Sequence, residues 1–374
     1  MNILIVKMSA IGDVTYTLPV LSALRRHYPH AHIAWLVEEA AAEVVRAHKA
    51  LDRMLIWHRA SSIKQFHTGN RFAVVREIRR LAKDLGDTRY DLLIDCHALL
   101  KSSLWVALAR ADHKVGFGRG MEHSEGSYLF LNKRIPAVSM EVHALDRGLV
   151  LLNALGIPTP GVVYDFPILE SNQAEALSLL EAGGLKAGDP TVAVHPMTLW
   201  PTKLWENERF GQVADRLIEK GYRVVFTGGT GDRAAIDDIC RSMTRRAIRL
   251  DGQTSLKTLA AVYRRACTVV STDTGPMHIA AAVGTPVVAL FGPTAPWRTG
   301  PYGKEHTVLR TALTCNPCFR RLCRTGLHEE MACMRRITVD QVVDAVARTV
   351  HGRVPTGTSP NGPNAPQDVA HPYS

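Results

Sequence analysis

The amino-acid sequence predicts an α/β protein made of two Rossmann-like halves, each a parallel sheet wrapped by helices, with the sheets facing across a cleft. Three observations lead there. Short β-branched apolar runs alternate with helical patterns through the first half; a second such series begins at Thr191; and a stretch rich in proline and glycine, LGIPTPGVVYDFPILE, separates the two.

In chain order, residues 3–6, 33–37, 54–57 and 92–95 read as strands, with helical patterns such as 18–27 and 103–110 between them. Such alternation implies parallel strands covered on both faces. The second series of strands is 191–195, 223–227, 247–250, 268–271 and 287–291. The hinge is expected near 156–170, giving an N-terminal domain of 1–165 and a C-terminal domain of 166–350. The last 24 residues, 351–374, are polar and full of proline and glycine, with too little apolar surface to fold, and are expected to be disordered.

Length and charge bound the function. A chain of 374 residues, 46% hydrophobic, can bury two ordinary cores. The 45 Lys+Arg against 35 Asp+Glu leave a formal charge of +10, which suits anionic partners: sugar nucleotides, nucleic acid or an acidic membrane surface. No apolar run approaches the roughly 20 residues of a membrane span, and the opening MNILIVK leads into a strand pattern rather than a signal peptide. A cytoplasmic protein that touches the membrane surface is expected.

The stretch STDTGPMHIAAAVGTPVVALFGPT, residues 271–294, is a strand, turn, short helix and strand, with the turn at the carboxyl edge of a parallel sheet, where ligands bind. Pro276 suits the first helical turn, and the N–H groups beyond it can hold a phosphate. Asp273 and Thr274 read either as helix caps or as ligand contacts. In NILIVKMSAIGDVTYTLPVL the loop lacks GxGxxG and holds only Gly12, which argues against a nicotinamide dinucleotide in this half. Asp13, where the helix begins, reads equally as a cap and as a general base. In HPMTLWPTKLW, Thr198 and Lys203 follow a strand and offer a hydroxyl and an ammonium to a diphosphate. Asp232, closing FTGGTGD, reads as a ribose contact or as part of a plain turn.

Of seven cysteines, Cys96, Cys240 and Cys267 sit in apolar surroundings as small core residues. Cys315, Cys318, Cys323 and Cys333 fall within twenty residues and begin with a C-x2-C pair, which reads as a metal site or as a set of free thiols. No P-loop, HExxH or GxSxG motif is present.

Taken together and in order, KMSAIGDVTYTLPVL, HPMTLWPTKLW and STDTGPMHIAAAVGTPVVALFGPT resemble glycosyltransferase family 9, the ADP-heptose lipopolysaccharide heptosyltransferases, over roughly residues 1–345. WLVEEA, DCHALLKSS and EVHALDR look more like heptosyltransferase I than the second enzyme of that pathway. The resemblance implies a GT-B fold, with the acceptor in the N-terminal domain and the ADP-sugar in the C-terminal one. It implies inverting, metal-independent transfer of heptose to the Kdo residue of the lipopolysaccharide inner core, at the cytoplasmic face of the inner membrane.

Carried over by motif, Asp13 is the base, and Lys203 assists departure of the ADP. Thr198, Lys203, Asp232, Asp273, Thr274, Gly275 and His278 surround the donor, while Gly12 and Lys101 face the Kdo-lipid A acceptor. Lys101, Arg119 and Arg147 are candidates for binding the acidic acceptor, but each alone reads more readily as an ordinary surface charge, and only Lys101, at a strand-to-helix loop, is kept. A cysteine-rich C-terminal loop is common in the family, and one branch that modifies proteins holds iron with four cysteines, so a structural zinc or iron is the metal reading here. Two rivals stand beside the resemblance: another nucleotide-sugar enzyme of this architecture, such as an epimerase, and a nucleic-acid-binding protein, for which no recognition motif is seen.

Overall fold

The structure, a computed structural model, describes residues 1–121, 125–323, 326 and 329–351. Of the tail expected to be disordered, everything from residue 352 on lies outside the described residues. The first half runs β1 (Asn2–Val6), α1 (Ile11–His27), β2 (His32–Glu38), α2 (Ala42–Val45), β3 (Arg53–Trp57), α3 (Arg59–His67), α4 (Arg71–Gly86), β4 (Tyr90–Asp95), α5 (Leu100–Leu108), β5 (Ala111–Phe117), β6 (Lys133–Ile135) and α6 (Ala144–Asn153). The second runs α7 (Glu170–Ala182), β7 (Thr191–His195), α8 (Asn207–Glu219), β8 (Arg223–Phe226), α9 (Arg233–Ser242), β9 (Ile248–Arg249), α10 (Leu256–Arg265), β10 (Thr268–Thr272), α11 (Gly275–Ala282), β11 (Val287–Phe291), α12 (Pro296–Thr299), β12 (Thr307–Arg310), α13 (Ala332–Arg335) and α14 (Val339–His351).

The strands form two six-stranded sheets, ordered β3-β2-β1-β4-β5-β6 and β12-β11-β10-β7-β8-β9. Read from its own first strand, the second sheet has the same order as the first, and its pairings are likewise parallel. This order reverses direction between β1 and β4 and again between β7 and β10, and such switch points open a crevice at the carboxyl ends of the strands. The expected GT-B architecture of two Rossmann-like units is what the chain adopts.

Strand periodicity sends alternate side chains to opposite layers. Ile3 and Ile5 pack with Val14, Leu18 and Leu149 beneath α1 and α6, whereas Leu4 and Val6 pack with Leu81, Leu85 and Trp105 beneath α4 and α5. In the second half Val192 and Val194 join Phe210, Leu217 and Val342 on one face, and Ala193 joins Tyr263 and Ile279 on the other. Each fully buried aliphatic side chain contributes roughly 1.5–3 kcal/mol, so both sheets are cores in their own right.

Three strands went unread in the sequence. β5, β6 and β12 carry Asp112, His113, Lys114, Lys133, Arg134 and Arg310, and these interrupt the apolar runs that marked the central strands. Helix α1 starts earlier than the 18–27 pattern, at Ile11, and runs through Pro19. The hydroxyls of Thr15 and Thr17 donate to the carbonyls of Ile11 and Asp13 along its first turns. Among the described residues, no helix is long and apolar enough to cross a membrane.

Candidate active site

The loop after β1 and the turn after β10 meet where the two halves face each other. Helix α1 begins at Ile11 and α11 at Gly275, and their first turns are in contact. A Cβ placed on Gly12 would lie 2.2 Å from Cδ2 of His278, and one on Gly275 would lie 3.0 Å from Cβ of Ile11. Only hydrogens fit at either position. Two helix N-termini, each a partial positive charge, thus face one small region, a natural seat for an anion.

Acids stand at both of these ends. Asp13, three residues into α1, accepts the Ala10 N–H at 3.2 Å. It also lines a cavity of about 340 Å³ at the switch point of the first sheet. Asp13 thus caps the first turn of α1 and also lines the cavity. Asp273, just before α11, is buried and ion-paired with Lys203, Oδ2 to Nζ 2.6 Å. The Thr294 hydroxyl donates to the same Oδ2 at 2.6 Å, and the Thr198 hydroxyl donates to the Asp273 carbonyl at 3.3 Å, bridging the switch point of the second sheet.

Lys203 lies on a short 3-10 turn, Pro201–Lys203, with Nζ 4.6 Å from the centre of the Trp200 ring. Arg321 stacks on that ring at 5.0 Å, and the Thr202 hydroxyl donates to the Arg320 carbonyl at 2.7 Å. The cysteine-rich segment thus forms the backing of the Lys203 turn.

His278 is buried between the halves, its ring centre 4.4 Å from that of Tyr16. Burial holds its pKa down to about 4, although the charges of Asp273 and Asp13 pull upward. Its imidazole is neutral at physiological pH, and its buried Nδ1 has no hydrogen-bond partner. Tyr16 in turn donates to the carbonyls of Gly300 and Thr299, and burial raises its pKa well above the ordinary phenol value.

The cavity beside Asp13 is walled largely by residues not expected at the site. Lys7 and Arg147 supply cations, Phe117, Met121, Met140 and Leu151 supply apolar floor, and His97 lies at the end of β4. Lys7 donates to the Cys96 carbonyl at 3.1 Å. Burial, helped by Lys7 and Lys101, depresses His97 to about 2; neither of its ring nitrogens has a partner. Burial raises Asp95 to about 6, against the pull of the Ala98 and His97 N–H groups on its Oδ1. Arg147 sits in the quoted motif EVHALDR and His97 in DCHALLKSS, but only the fold turns them toward one space.

The remaining expected residues are more dispersed. Lys101 is in the first turn of α5, not in a loop, and pairs with Glu38 at 2.8 Å beside the Ser9 hydroxyl. Asp232 lies beyond β8, where Oδ2 accepts the Gly229 N–H at 2.7 Å and closes its own turn. Thr274 is the N-cap of α11 in extended backbone, with no side-chain capping bond. Cys315, Cys318, Cys323 and Cys333 are free, half-buried thiols. Among the described residues, no group of three or more His, Cys, Asp or Glu side chains is gathered tightly enough to hold a metal ion. Burial, with Cys318, Cys315 and Cys323 nearby, pushes the Cys333 thiol up to about 11.

The chain is similar to known proteins over most of its length. The family model for glycosyltransferase family 9 (heptosyltransferase) matches residues 78–328. Lipopolysaccharide heptosyltransferase 1 of Pseudomonas aeruginosa is 31% identical over 334 residues, covering 88% of this chain and 89% of that one. Among solved structures, a family 9 glycosyl transferase from Veillonella parvula superposes with a TM-score of 0.76 at 26% identity, covering 94% of this chain and 97% of that one. An Escherichia coli heptosyltransferase solved with ADP gives 0.73 at 25% identity, covering 93% and 100%.

Proposed function

The chain belongs to glycosyltransferase family 9, the heptosyltransferases, and from that premise we propose that it moves L-glycero-D-manno-heptose from ADP-heptose to the Kdo residue of the lipopolysaccharide inner core. One observation carries the reading: Asp13, on the wall of the first-half cavity, adjoins the His278, Asp273 and Lys203 group of the second half.

An inverting transfer needs a base on one side of the anomeric carbon and charge compensation on the other. Asp13 takes the proton of the acceptor hydroxyl as its oxygen bonds to the anomeric carbon. The bond from that carbon to the phosphate oxygen breaks at the same time, and ADP departs. Lys203 and the amides at the start of α11 offset the charge on the leaving diphosphate. His278, neutral and with Nδ1 unpartnered, offers a hydrogen bond to the donor. Thr198, Thr274 and Gly275 edge the same crevice, and the second carboxylate oxygen of Asp232 reaches a ribose hydroxyl. Lys7 and Arg147 suit an acidic sugar in the cavity, with Gly12 and Lys101 on the first turns of α1 and α5 as further acceptor-side residues.

Catalysis in this reading requires no metal, and the four-cysteine segment is structural, holding the Lys203 turn from behind. The enzyme works at the cytoplasmic face of the inner membrane as a peripheral protein. The deciding assay incubates the purified chain with ADP-heptose and Kdo2-lipid A and follows both ADP release and lipid mass. A gain of one heptose is expected. ADP-heptose turned over only with an already heptosylated core or a protein acceptor would change the acceptor, and turnover confined to UDP-linked sugars would overturn the donor.

A further inference from the structure

The large apolar side chains left in solvent are unevenly distributed, and most lie on one side of the first half. Helices α3 and α4 form a hairpin whose tip, residues 68–70, is flanked by Phe66, 56% exposed, and Phe72, 90% exposed. A phenylalanine so exposed loses most of the roughly 2–3 kcal/mol that burial would give it. The outward face of α4 continues from Phe72 through Val75 with Arg76, Arg79 and Lys83 at helical spacing. Both acids of this helix, Glu77 and Asp84, lie on its other side and are held by Arg80. The face is therefore apolar at its tip and purely cationic along its length.

Helix α5 packs against α4 and adds Leu100, Leu104 and Leu108, one stripe at i, i+4 and i+8, each about half exposed. That stripe starts at Leu100, next to Leu99 on the cavity wall. A continuous surface thus runs from the hairpin tip to the mouth of the cavity that contains Asp13.

We propose that this surface, the α3–α4 hairpin with the leucine stripe of α5, docks the enzyme on an anionic lipid bilayer. Phe66 and Phe72 enter the headgroup region, and Arg76, Arg79 and Lys83 lie against anionic headgroups. A lipid-borne acceptor then keeps its acyl chains in the bilayer while its sugar reaches the cavity over Leu100. The charge pattern selects the occupant: a purely cationic rim around aromatic tips complements an anionic bilayer and repels a second copy of itself.

The inference rests on the peripheral-membrane reading above, and the test separates the two. The full chain is mixed with phosphatidylethanolamine–phosphatidylglycerol vesicles or with pure phosphatidylcholine vesicles, and binding is read by flotation. Salt-sensitive binding to the anionic vesicles is expected. Arg76→Gln with Arg79→Gln should weaken it roughly 30-fold, and Phe66→Ser with Phe72→Ser should abolish insertion. Turnover of a soluble, deacylated acceptor should stay unchanged in both variants, which also shows that they fold. Undiminished binding by both variants would overturn the docking surface and leave the peripheral reading standing. No binding by the unaltered chain would overturn both. A dimer broken by Phe66→Ser with Phe72→Ser and indifferent to vesicles would assign the face to a second copy and overturn the proposal.

Discussion

Asp13 satisfies the Ala10 N–H with one oxygen and still faces the cavity. Asp13→Asn keeps that acceptor and removes the base. Turnover should fall roughly 10²- to 10⁴-fold with thermal stability little changed; an unchanged rate would remove the role. The histidines give a pH-dependent prediction. His278 and His195 are held at about 4 by burial, against 6.5 when free. Between those values the unfolded chain binds more protons than the folded one, so their stabilisation is complete above pH 6.5 and is lost as pH falls toward 4. Each should cost about 1.5 kcal/mol between pH 6.5 and 5. Asp95, raised to about 6, is protonated first in the folded chain and opposes them by about 1 kcal/mol. Urea midpoints at the two pH values should show His278→Gln losing less stability on acidification than the unaltered chain. Equal losses would mean that His278 is not buried neutral. Asp13, Lys203, Asp273 and His278 were legible because each sits in a strand-turn-helix pattern. Lys7 and His97 were not, because a lone charged or aromatic residue at an element's edge carries no mark of what faces it, and for the same reason Arg147 read more readily as a surface charge than as an acceptor contact.

Among the elements, the α1–α11 contact is the most demanding. Gly12→Ala puts a methyl 2.2 Å from the His278 ring and should cost about 1–3 kcal/mol, with a lower melting temperature and lower activity. Adding His278→Ala should restore the stability without restoring activity, and a failure to restore stability would place the clash elsewhere. The cysteine-rich segment is the second case. Cys318 and Phe319 donate their N–H groups to the Pro293 carbonyl, and Thr202 bonds to Arg320, so this segment connects the end of β11 to the Lys203 turn. Cys318→Ser should lower the melting temperature, or the metal content measured by elemental analysis, before it alters the chemistry. Normal folding of this variant alongside a metal-free unaltered protein would refute a structural role. Interior strands such as β1, β7 and β11 announced themselves because both faces are buried and each carries an unbroken apolar run. β6 and β12, at sheet edges, keep charges in solvent and lose that signature.

Across the whole molecule, the halves are joined by polar contacts that reach over the cleft. Glu43 of α2 accepts the Leu256 N–H at 3.0 Å and the Lys257 N–H at 3.4 Å, capping α10 of the other half with a carboxylate. Tyr302 donates to Asp146 at 2.8 Å, and the His143 ring meets the Gly300 carbonyl at 3.1 Å. Glu43→Ala should cost about 1 kcal/mol and, by loosening one half from the other, broaden or split the urea transition. An unchanged midpoint and slope would show that this cap does not couple the halves. The amino-acid sequence alone determined that there are two parallel-sheet units and singled out the turns at Asp13 and Asp273 as candidates for the site, because periodicity, helix-start residues and loop glycines act within a few residues of one another. Only the tertiary structure decided that Gly12 meets His278, that Lys203 pairs with Asp273, that Lys7 and Arg147 share a cavity with Asp13, and that Glu43 caps a helix more than 200 positions away. Those pairings arise from how two sheets and their helices pack, and packing over such separations leaves no local pattern in the chain.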